Sequence, residues 1–139
     1  MVAVGRRVVV IGGRGFDQET FSEKDEAAIC SYNTKTKGNV RKEEIWDVLH
    51  PNFFHPRGNA GTVLLGRNIY LIGGKSYQKD CDVKMVEYYN TNRRKVREAF
   101  LLPENFSYGN VDCVVMKVPI SNTDINFDDI LLYDKWIMW

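Results

Sequence analysis

RGNAGTVLLGRNIYLIGG, the stretch from Arg57 to Gly74, predicts a β-hairpin. Ala60 to Leu65 and Asn68 to Ile72 are apolar and rich in residues that favour strands. The residues between them, Gly66-Arg67-Asn68, have the composition of a tight turn. We therefore expect two antiparallel strands, the second of which ends in a pair of glycines.

The ending of this hairpin occurs a second time near the start of the chain. RVVVIGG, from Arg7 to Gly13, matches NIYLIGG, from Asn68 to Gly74, and the second glycines lie 61 residues apart. Glycine has no Cβ, so a glycine pair lets backbone or an aromatic ring approach where a side chain would clash. The chain therefore contains an internal repeat whose apolar strands are expected to pack between neighbouring sheets.

This pattern resembles the kelch repeat, which forms one four-stranded blade of a β-propeller. In that family the second strand of a blade ends in Gly-Gly, the third carries a Tyr and the fourth carries a Trp. Tyr32 matches the Tyr in the first repeat and Tyr88 or Tyr89 matches it in the second, with Val96 seven residues after Tyr89; Trp46 matches the Trp after a longer loop. Val96 stands where the second repeat would have its Trp.

The resemblance implies an all-β fold, a partial kelch β-propeller built of antiparallel four-stranded blades. It divides the single domain 1–139 into an incomplete first blade (7–56), a second blade (57–101) and the start of a third, degenerate blade (102–139). Closed propellers have about 4 to 8 blades, and each blade covers only its neighbours. We therefore expect the remaining blades to come from a longer protein or from a homo-oligomer, such as a trimer of two-blade chains.

Several segments carry more detailed predictions. Met1 to Gly5 is too short for an inner strand of the first blade, and Arg14 to Glu26 is an acidic loop. Lys75 to Lys84 is a polar loop, and Met85 to Asn90 is a third strand. Asn110 to Val118 is the inner strand of a third blade.

The amino-acid composition of the chain bears on the kind of partner it binds and on its cellular setting. The 19 basic and 18 acidic side chains give a net charge of +1, which provides no overall attraction to nucleic acid or to a membrane. The three cysteines, Cys30, Cys81 and Cys113, are odd in number and contain no C-x-x-C pair. A reduced, cytoplasmic setting is expected, without disulfides or a zinc site.

The candidate catalytic and ligand motifs are incomplete. Gly12-Gly13-Arg14-Gly15 follows a strand but does not have the G-x-G-x-x-G spacing of a dinucleotide site. His50 and His55 share a loop without the further ligands or the nucleophile that a metal site or a hydrolase needs. The acidic residues from 17 to 26 do not form a calcium-loop pattern. We predict no enzymatic activity, no cofactor and no metal.

The topology of a four-stranded blade places the loop after the second strand on the same face as the connection to the next blade. Aromatic and arginine side chains on these loops are typical of binding hot spots. We expect Phe54 and Phe106, which lie on the same loops, to be packing residues. The predicted partner-binding residues are Arg14, Phe16, Phe53, His55, Arg57, Tyr77 and Tyr108; the predicted structural residues of the repeat are Gly12, Gly13, Tyr32, Trp46, Gly73, Gly74 and Tyr89.

The resemblance also implies a function. Kelch propellers often follow a BTB domain in substrate adaptors of cullin-type ubiquitin ligases, and this chain resembles the carboxyl-terminal kelch region of such proteins. We therefore predict a module that docks a protein substrate or partner. The alternative is an actin-associated or scaffold protein that binds through a basic rim on the opposite face. That rim collects Lys35, Lys37, Arg41, Lys42, Arg67, Arg93, Arg94, Lys95 and Arg97.

Overall fold

The computed structural model describes residues 1–34, 46–50, 53–105 and 107–115. These residues form two four-stranded antiparallel sheets and one small two-stranded sheet, and they contain no helix. The prediction of an all-β fold with antiparallel four-stranded sheets is therefore confirmed. The predicted loop from Lys35 to Glu44, Phe106 and the tail beyond residue 115 lie outside the described residues.

The strands of the first sheet follow one another in the order of the chain. They pair β1-β2-β3-β4, and each pair is antiparallel. Their bounds are β1 Val2–Val4, β2 Arg7–Asp17, β3 Ser22–Asn33 and β4 Trp46–His50.

The second sheet has the order β10-β9-β6-β5, with a small β7-β8 sheet between β6 and β9 in the chain. Its bounds are β5 Gly61–Leu65, β6 Asn68–Ile72, β7 Lys75–Ser76, β8 Cys81–Asp82, β9 Met85–Asn90 and β10 Lys95–Leu101. The predicted strands β6 and β9 have the bounds that the sequence indicated. Val96 lies opposite Tyr89 as Trp46 lies opposite Tyr32, so the two positions correspond in the two sheets.

The prediction that Met1 to Gly5 is too short for an inner strand was wrong. Val2–Val4 pairs with β2 through a two-residue turn, Gly5-Arg6. The β5-β6 turn, Gly66-Arg67, is the same dipeptide 61 residues later, and both glycines have a positive φ of about 60° (58° and 62°). Three residues are enough to form this strand, because the turn fixes its register and β2 provides its hydrogen-bonding partners.

The segment Arg14 to Glu26, predicted as a loop, is mostly a continuation of the β2-β3 hairpin. Pairing extends to Asp17 and Ser22, which leaves a four-residue turn. In that turn Oδ1 of Asp17 accepts hydrogen bonds from the backbone N–H groups of Glu19 (2.8 Å) and Thr20 (3.1 Å). Its polar composition therefore does not indicate the absence of a ladder. The predicted loop from Lys75 to Lys84 likewise contains β7 and β8.

One apolar core lies between the two large sheets. The first sheet contributes Val9, Ala27 and Ile29, and the second sheet contributes Ile69, Leu71, Tyr89 and Val96. The connection from β4 to β5, here the connection, contributes Phe53. By the 61-residue spacing Val9 corresponds to Tyr70, yet in the second sheet it is Ile69, the neighbour of Tyr70, that is fully buried in this core. The two sheets therefore turn opposite faces of the same repeat toward each other.

The glycine pairs lie where each sheet meets the next segment of chain. The N–H of Gly13 donates to the carbonyl of Arg57 (3.2 Å), and the N–H of Gly74 donates to the carbonyl of Tyr108 (2.6 Å). A Cβ placed on Gly12 or on Gly73 would lie 2.9 Å from the same two carbonyl oxygens. Arg57-Gly58-Asn59 and Tyr108-Gly109-Asn110 are thus equivalent segments.

Residues 107–115 form no strand, so the prediction of a strand beginning at Asn110 is wrong for the described residues. The backbone of this segment forms hydrogen bonds with other parts of the chain. The N–H of Val111 donates to the carbonyl of Asn59 at 3.1 Å, and the carbonyl of Tyr108 accepts from the N–H of Gly74. These contacts hold the segment against the second sheet, and the rest of the predicted strand, 116–118, lies outside the described residues.

We expect Gly73→Ala to destabilise the fold much more than Gly66→Ala. Both glycines have a φ of +62°, so both substitutions carry similar backbone strain, on the order of 1 kcal/mol. A Cβ at Gly73 would also meet Cγ2 of Val111 at 2.5 Å, whereas a Cβ at Gly66 would meet nothing within 4 Å. Overpacking adds roughly 1 to 3 kcal/mol at Gly73 only. Urea unfolding measures both, and equal losses would refute the role given to this contact.

Candidate partner-binding surface

The β2-β3 hairpin presents an arginine and a phenylalanine side by side. Arg14 and Phe16 lie two residues apart on one strand, so their side chains share a face. Both are exposed, Phe16 to 58% of its surface. Arg14 forms an ion pair with Glu23 of the neighbouring strand. The hairpin thus offers an apolar ring beside a guanidinium whose position is already restrained.

Tyr77 completes this surface from the loop after β7. The guanidinium of Arg14 lies over its ring, with 3.9 Å between Cζ and the ring centroid. The ring lies close over Gly58, where a Cβ would be 3.2 Å from Cε2 of the tyrosine. Its hydroxyl accepts a hydrogen bond of 2.8 Å from Nδ2 of Asn59. Contacts with Arg14, with Gly58 and at the hydroxyl therefore restrain the orientation of the ring.

A buried aspartate fastens the Tyr77 loop to the first sheet. Asp25 lies on β3, is 7% exposed and accepts three hydrogen bonds from the loop. Oδ2 accepts from Oγ of Ser76 (2.8 Å) and from the N–H of Gln78 (3.2 Å), and Oδ1 accepts from the N–H of Tyr77 (3.1 Å). The surface formed by Arg14, Phe16 and Tyr77, here the Arg14–Tyr77 surface, is thus built across two sheets by one carboxylate.

A buried ion pair holds the connection between the two sheets. Arg57 and Glu87 are both fully buried and form a direct ion pair. The guanidinium also donates to the carbonyls of His55 (3.0 Å), Gly73 (3.0 Å) and Met85 (2.8 Å). Burial lowers the pKa of Arg57, and the charge of Glu87 opposes that shift. Arg57 therefore joins the connection to the ends of β6 and β9.

Glu87 also organises the residues before Arg57. Its Oε1 accepts a hydrogen bond of 2.8 Å from the N–H of Phe54, and its Oε2 lies 3.3 Å from Nδ1 of His55. That nitrogen is buried and forms no hydrogen bond with any described residue. One carboxylate thus lies against Phe54, His55 and Arg57 of the connection.

Asp82 fastens the segment that follows the second sheet. Its Oδ2 accepts hydrogen bonds from Oγ of Ser107 (2.8 Å) and from the N–H of Tyr108 (2.6 Å). The hydrogen bond from Ser107, with that from Tyr108 next, lowers the pKa of Asp82. Asp25 and Asp82 both bind a Ser-Tyr dipeptide, and they lie 57 residues apart, the same spacing as Tyr32 and Tyr89.

The predicted partner-binding residues divide into two groups. Arg14, Phe16 and Tyr77 meet at one surface, and the side chain of His55 is 36% exposed. Three others are inaccessible to a partner: the exposed fractions are 3% for Phe53, 1% for Arg57 and 3% for Tyr108.

Phe53 was predicted to bind a partner and Phe54 to pack in the interior, and the structure shows the reverse exposure. Phe54, predicted to pack, is 59% exposed, whereas Phe53 is buried. The backbone bonds explain this: the N–H of Phe53 donates to the carbonyl of Ala27 at 2.8 Å and places its ring in the core. Phe106 lies outside the described residues.

The residues predicted for the repeat lie at corresponding positions. The four glycines approach the next segment of chain, as described above. Tyr32 and Trp46 face each other across strands with ring centroids 5.5 Å apart, and Tyr89 lies in the core. The residues that sequence reasoning missed are the carboxylates Asp25, Asp82 and Glu87. For the two aspartates a signal existed, because they share the spacing of the two tyrosines.

No protein-family model matches the chain, and no curated protein matches it. Within residues 1–34, 46–50, 53–105 and 107–115, no group of three or more His, Cys, Asp or Glu side chains could hold a metal ion. The same part of the chain contains no helix that could span a membrane.

We expect Glu87→Gln to reduce the free energy of unfolding by roughly 3 to 5 kcal/mol, because it leaves the buried Arg57 without its countercharge. The matched control is Glu23→Gln, which breaks the exposed pair with Arg14 and should change stability by less than about 1 kcal/mol. Urea unfolding of both variants at neutral pH measures the difference. Similar effects in the two variants would contradict a structural role for the buried pair.

Asp82 makes a contribution to stability that depends on pH. Its folded-state pKa lies below the value of an unfolded aspartate, about 3.9, so the contribution is present above that pH and is lost as the pH falls through the folded-state pKa. Asp82→Asn should therefore be less stable than wild type near neutral pH and should lose less stability on acidification. Asp112→Asn, at an exposed carboxylate with no hydrogen bond to a described residue, is the control. Parallel acid profiles for wild type and Asp82→Asn would disprove this assignment.

Proposed function

We propose that this chain is a protein-interaction module of the kelch type, and that it docks a protein partner on the Arg14–Tyr77 surface. The observation that carries the proposal is the guanidinium of Arg14 stacked on the Tyr77 ring at 3.9 Å, beside the exposed ring of Phe16. Arginine and aromatic side chains dominate the binding energy of protein interfaces. A surface that combines an arginine with two aromatic rings is suited to binding a peptide or a loop of another protein.

The restraint on these side chains supports the proposal. Ordering a long side chain on binding costs about 0.5 to 1.5 kcal/mol, and that cost falls when the free protein already holds the bound conformation. Arg14 is held by Glu23 and by the Tyr77 ring. Tyr77 is held by Asn59 and by the hydrogen bonds of its loop to Asp25. The surface is therefore preorganised for association.

The kelch part of the proposal rests on the recurring contact between successive units. In both sheets the second glycine donates to the carbonyl of the residue before Gly-Asn in the following segment. Such a contact, made once per unit, suits radial packing of blades, and we propose that the two sheets are two blades of a propeller. By extension, the partner would be a substrate presented to a cullin-type ubiquitin ligase in the cytoplasm, with no catalytic role for the chain itself.

The second candidate function is binding of an actin filament or of a scaffold through the basic rim. Its described members, Arg67, Arg93, Arg94, Lys95 and Arg97, are all exposed. None of them forms an ion pair with a described residue, so their charge is available to an acidic partner. Binding through this rim would weaken steeply with added salt, whereas docking on stacked aromatic rings would not.

A double variant, Arg14→Ser with Phe16→Ser, tests the first candidate. Both side chains are exposed, so the fold should be retained, while partner binding should fall at least about tenfold because two hot-spot side chains are lost. The measurement is quantitative cross-linking of partners to the purified chain from a cell extract, with each partner then titrated against the purified variants.

The matched control is Arg67→Ser with Arg93→Ser, which removes two exposed arginines from the rim. A partner lost in the surface variant and retained in the rim variant supports docking on the Arg14–Tyr77 surface. The reverse pattern, together with loss of binding at moderate salt, would replace it with the rim. Partners that bind both variants as well as wild type would rule out both candidates.

A further inference from the structure

A cleft lies between the two large sheets at the end opposite the Arg14–Tyr77 surface. It has a volume of about 490 Å³ and is bounded by β1, β2 and β4 on one side and by β9 and the β9-β10 turn on the other. Its size falls in the range of small-molecule sites, about 300 to 1,000 Å³. Its lining is both apolar and charged: Val4, Val9 and Leu49 are apolar, and Arg7, Asp47 and Arg94 are charged.

The guanidinium of Arg7 is held in place at this cleft. Its Nη1 donates to Oγ of Ser31 at 2.7 Å and to Oδ2 of Asp47 at 2.6 Å. Arginine has five N–H donors, and no other donor of this side chain bonds to a residue in the described part of the chain. A fixed guanidinium with unused donors is prepared to bind a planar or tetrahedral oxyanion.

Arg94 reaches the cleft from a turn of defined shape. Its N–H donates to the carbonyl of Asn90 at 2.8 Å, and the Asn90 side chain accepts from the N–H groups of Asn92 (3.2 Å) and Arg93 (2.8 Å). No described carboxylate pairs with Arg94. Among the described residues that line the cleft, the two guanidiniums and the single carboxylate of Asp47 give one net positive charge.

We propose that this cleft binds a small amphiphilic anion, with its carboxylate or phosphate group between Arg7 and Arg94 and its apolar body against Val9 and Leu49. Charge-assisted hydrogen bonds to Arg7 and Arg94 supply the specificity for the oxyanion. The apolar lining residues supply the affinity for the body of the ligand. The site is independent of the Arg14–Tyr77 surface, since the two share no residue.

Isothermal titration of the purified chain with phenyl phosphate and with benzoate, each up to about 10 mM, tests the proposal. Benzyl alcohol, a neutral compound with the same ring, is the control ligand. At least one anion should bind, and the comparison of the two anions shows whether the head group is a phosphate or a carboxylate. Failure of both anions to bind, or equal binding of benzyl alcohol, would overturn the proposal.

Three variants distinguish the cleft from a general attraction of anions to basic side chains. Arg94→Gln should weaken anion binding about tenfold, because it removes a charge-assisted hydrogen bond. Arg93→Gln removes the same charge from the adjacent position, outside the cleft lining, and should leave binding unchanged. Asp47→Asn should tighten binding about threefold, because it removes a carboxylate that repels the anion.

Equal losses in Arg93→Gln and Arg94→Gln would show binding to the rim as a whole and would refute the site. An Asp47→Asn variant that binds no more tightly than wild type would contradict the charge balance on which the proposal rests. Failure of this test would leave the proposed partner docking untouched, because none of these substitutions changes the Arg14–Tyr77 surface.

Discussion

The approach of a backbone carbonyl to a glycine pair is the contact on which the arrangement of this protein depends. In each sheet the first glycine leaves space for the oxygen of the next segment, and the second donates a hydrogen bond to that oxygen. Because any side chain at Gly12 or Gly73 would meet that oxygen, the distance between the sheet and the following segment is set by backbone alone. The glycine contacts thereby hold Arg57 against β2 and Tyr108 against the end of β6.

Three carboxylates then fix what the glycine contacts bring together. Asp25, Glu87 and Asp82 each accept hydrogen bonds from backbone N–H groups of a segment distant in sequence. Buried or partly buried loop amides need such acceptors, because an unpaired one costs about as much as a lost hydrogen bond. A buried ion pair such as Arg57 with Glu87 gives little net stability, since desolvation offsets the attraction. Its effect is to select one path for the connection out of the many that an apolar contact would allow.

The regular part of this fold was predictable from sequence, and the irregular part was not. Short runs of strand-favouring residues bounded by a glycine turn or a polar loop located β6 and β9, because composition and turn signals are local properties. The burial of Arg57 could not be predicted, since it depends on Glu87, thirty residues further along and on another strand. In the proline-flanked connection no period distinguishes Phe53 from Phe54, so the hydrogen bond to Ala27 decided which ring entered the core. Of the candidate surface, the sequence identified Arg14, Phe16 and Tyr77 but not Asp25, which joins them.

The two sheets face their common core with different faces of the repeat. The first sheet faces the core with Val9, whereas the second faces it with Ile69, which corresponds to Val8. The core is therefore asymmetric: one type of face meets the other type, as in a head-to-tail contact between subunits. Each sheet keeps one further face, marked by the Tyr32–Trp46 pair in the first and by the Tyr70–Tyr88 pair in the second. The outer face of the first sheet corresponds to the core face of the second sheet, and the reverse also holds. A further sheet that packed in the same way would therefore continue the series in the same direction. The glycine contact occurs once in each sheet, so it is a constraint that every such unit would share.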